Sequence, residues 1–141
     1  MKYVLYLLLL LASCKENKPG ETVAASPITG KWQYERIELY EDATVQYTDS
    51  LVQQLDKMHQ GLCFAFSAKN IFRVTQFKSS GVEEFVAEQP FELAADQKTL
   101  DLKNNGRPDD HFPIISLNDS VLKINAFKSK EGYLVFRKIK S

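Results

Sequence analysis

The chain has 141 residues, 44% of them hydrophobic and 26% charged, and its 18 lysines and arginines balance 18 aspartates and glutamates. This length and composition are typical of one globular domain with a single core, and they exclude a largely disordered chain. Because the formal net charge is zero, the chain has no excess positive charge with which to capture nucleic acid or an anionic membrane surface.

The first fourteen residues have the layout of a secretory signal. Lys2 supplies a positive start, residues 3–11 form an apolar run, and Leu-Ala-Ser-Cys closes the run at Cys14. A permanent transmembrane helix would need about 20 apolar residues, so the run is too short for one. The closing tetrapeptide resembles the lipobox of bacterial lipoproteins, whose cysteine receives a diacylglyceryl group before the preceding peptide is removed. The resemblance implies a signal peptide at residues 1–13 and a lipid on Cys14; an ordinary secretory cleavage is the alternative.

A flexible linker is predicted at residues 14–27, which are rich in proline, glycine and small residues and contain Val23 as their only larger aliphatic residue. Loss of residues 1–13 leaves 17 basic against 18 acidic residues. The acyl chains would tether the protein to the cell envelope without spanning the membrane. Lys15 stands where an aspartate is associated with inner-membrane retention, which favours the outer membrane.

From residue 28 to residue 141, short β-type segments alternate with turn-forming residues. The predicted strands cover residues 31–40, 62–67, 71–78, 82–88, 91–93, 99–102, 111–117, 121–127 and 133–139. Their connections are mostly of hairpin length, so neighbouring strands are expected to pair antiparallel in up-and-down order. Closure removes the exposed edges of such a meander. We therefore predict an all-β fold, an antiparallel up-and-down barrel of about eight strands, with a sandwich as the alternative.

Two local features modify this pattern. In the first strand Trp32 and Tyr34 share one parity whereas Ile37 and Leu39 share the other, which predicts a bulge between them. Between the first two strands, one short α-helix is predicted to begin at Asp49 or Ser50, to end at Gly61 and to cover a barrel flank or mouth with an apolar stripe formed by Leu51, Val52, Leu55 and Met58.

Gly30-Lys31-Trp32 opens the first strand, and Tyr-Leu-Val-Phe-Arg-Lys-Ile at residues 133–139 closes the chain as a last strand. With a meander between them, these segments resemble the lipocalin superfamily, and most closely its small lipoproteins from gram-negative bacteria. The resemblance implies that Gly30 lets the chain turn at the closed end of the barrel. It also implies that Trp32 packs there beneath a basic residue of the last strand, here Arg137, at cation–π distance.

An eight-stranded barrel holds either side chains or one small ligand. Aromatic residues on the strands are candidates for lining such a cavity, and they are Tyr34, Phe64, Phe66, Phe72, Phe77, Phe85 and Phe112. The leading hypothesis is that the barrel binds or carries a small apolar molecule. The alternative is a filled barrel that acts as a protein-interaction module, either an envelope assembly factor or a hydrolase inhibitor.

Other chemistry finds little support in the sequence. The oxygen-rich loop around Asn104 and Asp109 matches no calcium-binding motif, and His59 and His111 have no zinc-ligand spacing. We predict no metal, no cofactor and no enzymatic activity, because no nucleophile or carboxylate pair has a recognisable setting. Cys63 lies in an apolar strand and is expected to be a buried, inert thiol. A monomer is expected.

Overall fold

The computed structural model describes residues 26–43, 49–126 and 131–140. The predicted signal peptide, the lipid-attachment residue Cys14 and most of the linker fall outside the described residues. The elements in chain order are β1 (Gly30–Leu39), α1 (Asp49–His59), β2 (Leu62–Phe66), β3 (Ile71–Phe77), β4 (Glu83–Leu93), β5 (Thr99–Leu102), β6 (Asp110–Leu117), β7 (Val121–Ile124) and β8 (Gly132–Ile139).

The eight strands form a closed barrel in which each strand pairs antiparallel with its sequence neighbours and β1 pairs with β8. The predicted fold class and the helix between the first two strands are therefore confirmed. The register of β1 on β8 shifts between Tyr34 and Arg36. This shift is the predicted bulge. Because of it, the side chains of Trp32 and Tyr34 point inward on one side of the bulge and that of Ile37 points inward on the other.

Two predicted strands are one in the structure. Residues 82–88 and 91–93 belong to the single strand β4, which continues through Pro90. The Pro90 carbonyl accepts a hydrogen bond from the Lys103 amide at 2.9 Å, so this side of the strand remains paired. The seventh strand is shorter than predicted and ends at Ile124.

The antiparallel order gives the barrel two ends. The tether end is where the described chain enters, and it contains Ile28, Gly30 and the turns at residues 67–70, 94–98 and 118–120. The helix end contains α1, the connections at residues 78–82 and 103–109, and the residues Asn125, Ala126 and Glu131 that flank β7 and β8. The helix end is therefore at the opposite end of the barrel from Ser26, where the described chain begins.

The tether end is closed by Ile28 and Trp32, which are both fully buried. The indole Nε1 of Trp32 donates a hydrogen bond to the Ile28 carbonyl at 2.7 Å, so the entering chain is fixed across the barrel. Gly30 has a φ of +131°, and a Cβ there would lie 2.7 Å from the Lys138 side chain. The backbone conformation therefore favours glycine, as its predicted turning role implies, whereas the flexible end of Lys138 could move aside.

The basic residue over Trp32 is not the predicted one. Lys138 Nζ lies 5.0 Å from the indole centroid, whereas the Arg137 guanidinium forms a salt bridge with Glu35 at 3.0 Å on the outer face. Side chains alternate along a strand, and Phe136 points into the barrel, so Lys138 shares its inward face and Arg137 does not. The prediction that the first and last strands meet at Trp32 is confirmed, but the choice of Arg137 was wrong.

Candidate functional site

A stack of aromatic rings fills the middle of the barrel. Phe64 stacks on Phe136 with ring centroids 4.2 Å apart and meets Phe72 edge-on at 5.0 Å. Phe66 in turn lies 4.9 Å from Phe72 and 5.1 Å from Phe91. All five rings are buried, and their spacing is that of packed aromatic pairs. Phe64, Phe66 and Phe72, predicted as ligand-lining candidates, therefore fill this part of the interior.

Tyr34 lies on the helix-end side of this stack, and its ring contacts Phe136 edge-on at 5.9 Å. Its hydroxyl donates a hydrogen bond to the Asp56 carboxylate of α1. Burial and this bond raise the pKa of the Tyr34 phenol, so the hydroxyl remains a donor. The Ile37 amide donates to the same carboxylate at 3.3 Å. Asp56 therefore joins the helix to β1 on both sides of the bulge.

The Asp56 contact also determines which face of α1 turns towards the barrel. Residues at i, i+4 and i+7 share one face of a helix, so Val52, Asp56 and His59 lie together. Val52 and His59 are half-buried, and His59 packs on Tyr34 with ring centroids 5.5 Å apart. The predicted apolar stripe is only partly correct, because Met58 is 69% exposed and Leu51 is also exposed. The helix face that contacts the barrel therefore contains Asp56 and His59, where the apolar stripe was expected.

Two of the predicted lining residues lie on the outer face of the barrel. Phe85 pairs with Thr75, whose neighbour Val74 points inward, and the Phe85 side chain is 65% exposed. Phe77 has the same parity as Thr75, and Lys31 Nζ lies 5.1 Å from its ring centroid. The register shifts here because Val74 pairs with Ala87 and Thr75 pairs with Phe85, which leaves Val86 of β4 as an extra residue. This bulge sets the direction of the Phe85 side chain. The prediction that Phe77 and Phe85 line the interior was wrong.

Towards the helix end the inward-facing side chains are only half-buried. Phe112, the last of the predicted lining residues, packs against the core without being enclosed by it. The same is true of Ile37, Leu62 and Val74. Apolar surface is therefore accessible at this end, above the aromatic stack.

An open groove lies at the same end, between the end of α1 and the hairpin that joins β3 to β4. Its volume is about 630 Å³, within the range of roughly 300 to 1,000 Å³ that small-molecule sites occupy. Its lining is mixed, with apolar surface from Phe77 and Val86 beside polar and charged side chains. The lining residues are Lys57, Gln60, Gly61, Gln76, Phe77, Lys78, Ser79, Glu84 and Val86.

The groove has a fixed wall because Gly61 holds the helix end against β3. The Phe77 amide donates to the Gly61 carbonyl at 2.8 Å, and the Gln76 side chain donates to the Gln60 carbonyl at 3.1 Å. Gly61 has a φ of +80°, and a Cβ there would lie 2.2 Å from the Phe77 carbonyl oxygen. No other residue fits this junction without moving β3 away from the helix.

A cluster on the outer face holds the closing strands together. The Glu38 carboxylate accepts hydrogen bonds from Lys123 Nζ and from the Tyr133 hydroxyl, each at 2.8 Å, and also pairs with Arg36. The bonds from Lys123 and Tyr133 lower the pKa of Glu38 to about 2. The bond to Glu38 raises the pKa of Tyr133 to about 12. One carboxylate thus links β1, β7 and β8.

The other candidate residues are occupied by local contacts. Lys103 pairs with Asp109 at 2.9 Å, and Asn104 donates to the Asp110 carboxylate at 3.1 Å. In the part of the chain that the structure describes, no three histidine, cysteine or acidic residues lie together as a metal site would require. Cys63 is buried, as predicted, and burial raises the pKa of its thiol. No helix within residues 26–43, 49–126 and 131–140 has the length and apolarity to cross a membrane.

The closed antiparallel barrel, with glycine and tryptophan opening β1, has a lipocalin-like fold. The crystal structure of a lipocalin-like protein from Bacteroides uniformis resembles it with a TM-score of 0.52 and 17% sequence identity, covering 81% of this chain and 100% of that one. An uncharacterized protein from Bacteroides eggerthii resembles it with the same score and identity, covering 79% and 98%. No family model and no curated protein matches the chain. At this identity the likeness concerns the fold.

Proposed function

We propose that the protein is a cell-envelope lipoprotein whose lipocalin-like barrel binds a small apolar molecule at its helix end. The observation that carries the proposal is the groove of about 630 Å³ between α1 and the β3–β4 hairpin, whose lining includes the apolar side chains of Phe77 and Val86. The aromatic stack occupies the interior below, so the ligand would lie at the mouth and not deep in the barrel. Binding there requires no catalytic step.

The location is part of the same proposal. The lipobox-like tetrapeptide ending at Cys14 supports lipidation, and Lys15 after it favours the outer membrane. The anchor would keep a monomeric barrel close to a membrane rich in apolar molecules. Mass spectrometry of membrane-extracted protein should find a chain that begins at Cys14 and carries acyl chains. A Cys14→Ser variant that still partitions fully with membranes would refute the anchor.

The second candidate is a filled barrel that acts as a protein-interaction module. The aromatic stack of Phe64, Phe66, Phe72, Phe91 and Phe136 favours it, because rings packed at 4.2 to 5.1 Å leave that part of the interior to side chains. Both candidates predict a stable barrel. Only the first predicts that an apolar compound stabilises it.

Thermal unfolding with and without ligand separates the two candidates. Fatty acids, lysolipids and isoprenoids would be tested on the barrel beginning at residue 26. A ligand at a hundredfold excess over its Kd should stabilise the folded state by about 2.7 kcal/mol and raise the melting temperature by about 10 °C. Gln76→Trp, which fills the groove, should abolish the shift. Gln33→Trp, the same change at an exposed position on β1, should preserve it. If no compound raises the melting temperature, or if both variants respond equally, the groove is not the ligand site.

A further inference from the structure

The exposed apolar side chains are concentrated at one end of the barrel. Among the described residues, the large hydrophobic side chains that are exposed come from the end of β1, from α1 and from the β3–β4 hairpin. They are Leu39, Leu51, Met58, Val82, Phe85 and Val86, with Ile115 as the one exception on β6. We call these six side chains the apolar rim. Three separate elements contribute to it, and all of them lie at the helix end.

The hairpin part of the rim projects beyond the neighbouring strand. β5 pairs with β4 only at Phe91, Glu92 and Leu93, and the residues of β4 from Glu83 to Glu88 are all exposed. The glutamates of this segment are each neutralised within the sheet, by the pairs Lys31–Glu83 at 2.5 Å, Lys78–Glu84 at 2.7 Å and Arg73–Glu88 at 2.6 Å. The projecting hairpin therefore presents Val82, Phe85 and Val86 without an excess of negative charge.

The composition of the rim suits a lipid surface. Its apolar side chains are spread over the end of β1, α1 and the hairpin among polar residues, as are side chains that insert between lipid headgroups. Exposed charges of both signs lie beside them, with Lys57 next to Met58 and Asp49 near Leu51. Insertion would therefore depend on apolar contact and not on net charge.

The predicted tether is long enough to allow this contact. Residues 14–25 lie between Cys14 and the barrel, and about 12 residues at roughly 3.4 Å each can span about 40 Å. β1, at roughly 3.3 Å per residue and tilted by about 40°, gives the barrel a height of about 25 Å. A lipid on Cys14 would therefore let the barrel turn its helix end to the membrane in which it is anchored.

We propose that the apolar rim docks the helix end onto a lipid bilayer. The groove between α1 and the hairpin then opens at the membrane surface, and an apolar ligand passes between bilayer and groove without crossing water. The tether and the identity of the ligand rest on the proposed function, whereas insertion of the apolar rim into a bilayer is tested without either. The partner is a lipid bilayer, and Phe85, Met58 and their neighbours insert among its headgroups.

Flotation with lipid vesicles tests the docking. Residues 26–141 contain every strand, the helix and the core cluster, so the barrel is complete without the predicted signal, anchor and most of the linker. This chain would be mixed with vesicles of phosphatidylethanolamine and phosphatidylglycerol and floated on a density gradient. The wild-type barrel should float, and the double variant Phe85→Ser with Met58→Ser should bind vesicles about tenfold more weakly. Ile115→Ser, which removes an exposed apolar side chain outside the rim, should float like the wild type.

Three results would overturn the docking proposal. The first is a wild-type barrel that stays with the soluble fraction, and the second is an equal loss of binding in the Ile115→Ser control. The third is a dimer in analytical ultracentrifugation that the double variant dissociates, because the rim would then be covered by a second copy. A melting curve for each variant verifies that the barrel is folded. Flotation without any ligand-induced thermal shift would refute the proposed function alone, and a shift without flotation would refute the docking alone.

Discussion

Truncation of Phe64 to alanine measures how tightly the barrel interior is packed. Phe64 is 7% exposed and contacts Phe136 at 4.2 Å and Phe72 at 5.0 Å. Removing a ring from such a stack leaves a cavity that its neighbours cannot fill, so Phe64→Ala should lower the free energy of unfolding by about 3 to 5 kcal/mol. Phe85→Ala removes the same ring from a position that is 65% exposed, and it should change stability by no more than about 0.5 kcal/mol.

Urea denaturation followed by tryptophan fluorescence provides the measurement. Trp32 is the only tryptophan and is fully buried, so its emission should report the opening of the whole barrel. The slope of the unfolding free energy with urea should be the same in both variants, because each exposes a similar surface on unfolding. A cost below about 1 kcal/mol for Phe64→Ala would mean that the interior is loosely packed. The account of the aromatic stack as filling would then fail, and a ligand deep in the barrel would return as the better explanation.

Three further predictions concern single contacts. The pKa of Glu38 is lowered from its ordinary value near 4.5 to about 2. Its ion pairs therefore stabilise the fold fully above about pH 4.5, and this stabilisation is lost as the pH falls through 2. Glu38→Gln should be less stable than the wild type by about 1 to 2 kcal/mol at pH 7, and urea denaturation should find this difference reduced to a few tenths of a kcal/mol, about RT ln 2, at pH 2. Lys138→Met should shift the emission of the indole beneath it, whereas Arg137→Met should not; equal spectra for the two variants would contradict the assignment of Lys138. Tyr34→Phe should loosen α1, since Asp56 loses its hydroxyl donor, and limited proteolysis should cut within the helix faster than in the wild type while the barrel stays intact.

The sequence predicts the strands and their order because hairpin-length turns leave few ways to connect neighbouring strands. The change of parity between Tyr34 and Ile37 correctly indicated the bulge in β1. Parity could also have assigned Lys138 to the inner face, since it lies two residues after the buried Phe136. The resemblance to a known family favoured Arg137, which in this chain pairs with Glu35 on the outer face.

The candidate site was harder to predict, for two physical reasons. The register shift opposite Val74 and Thr75 places Phe85 on the outer face, and a single extra residue in a strand leaves no clear signal in composition. The contact of Asp56 with Tyr34 turns α1 away from its apolar stripe. A polar side chain that reaches a partner far along the chain cannot be recognised from helical periodicity alone, so the exposure of Met58 was not expected.

The pairing of β1 with β8 also determines how the barrel can be attached to other things. Lys31 pairs with Ile139 at the tether end, so the first and last strands bring both ends of the folded domain side by side. A lipid anchor or fusion partner joined after Ile139 would therefore hold the barrel in the same orientation as one joined before Gly30. A circular permutant could connect these neighbouring ends and open the turn at residues 118–120. It would keep every strand pair and would lose only the covalent connection between β6 and β7. Because both chain ends lie at the tether end, an attachment at either of them leaves α1 and the groove free to make contacts of their own.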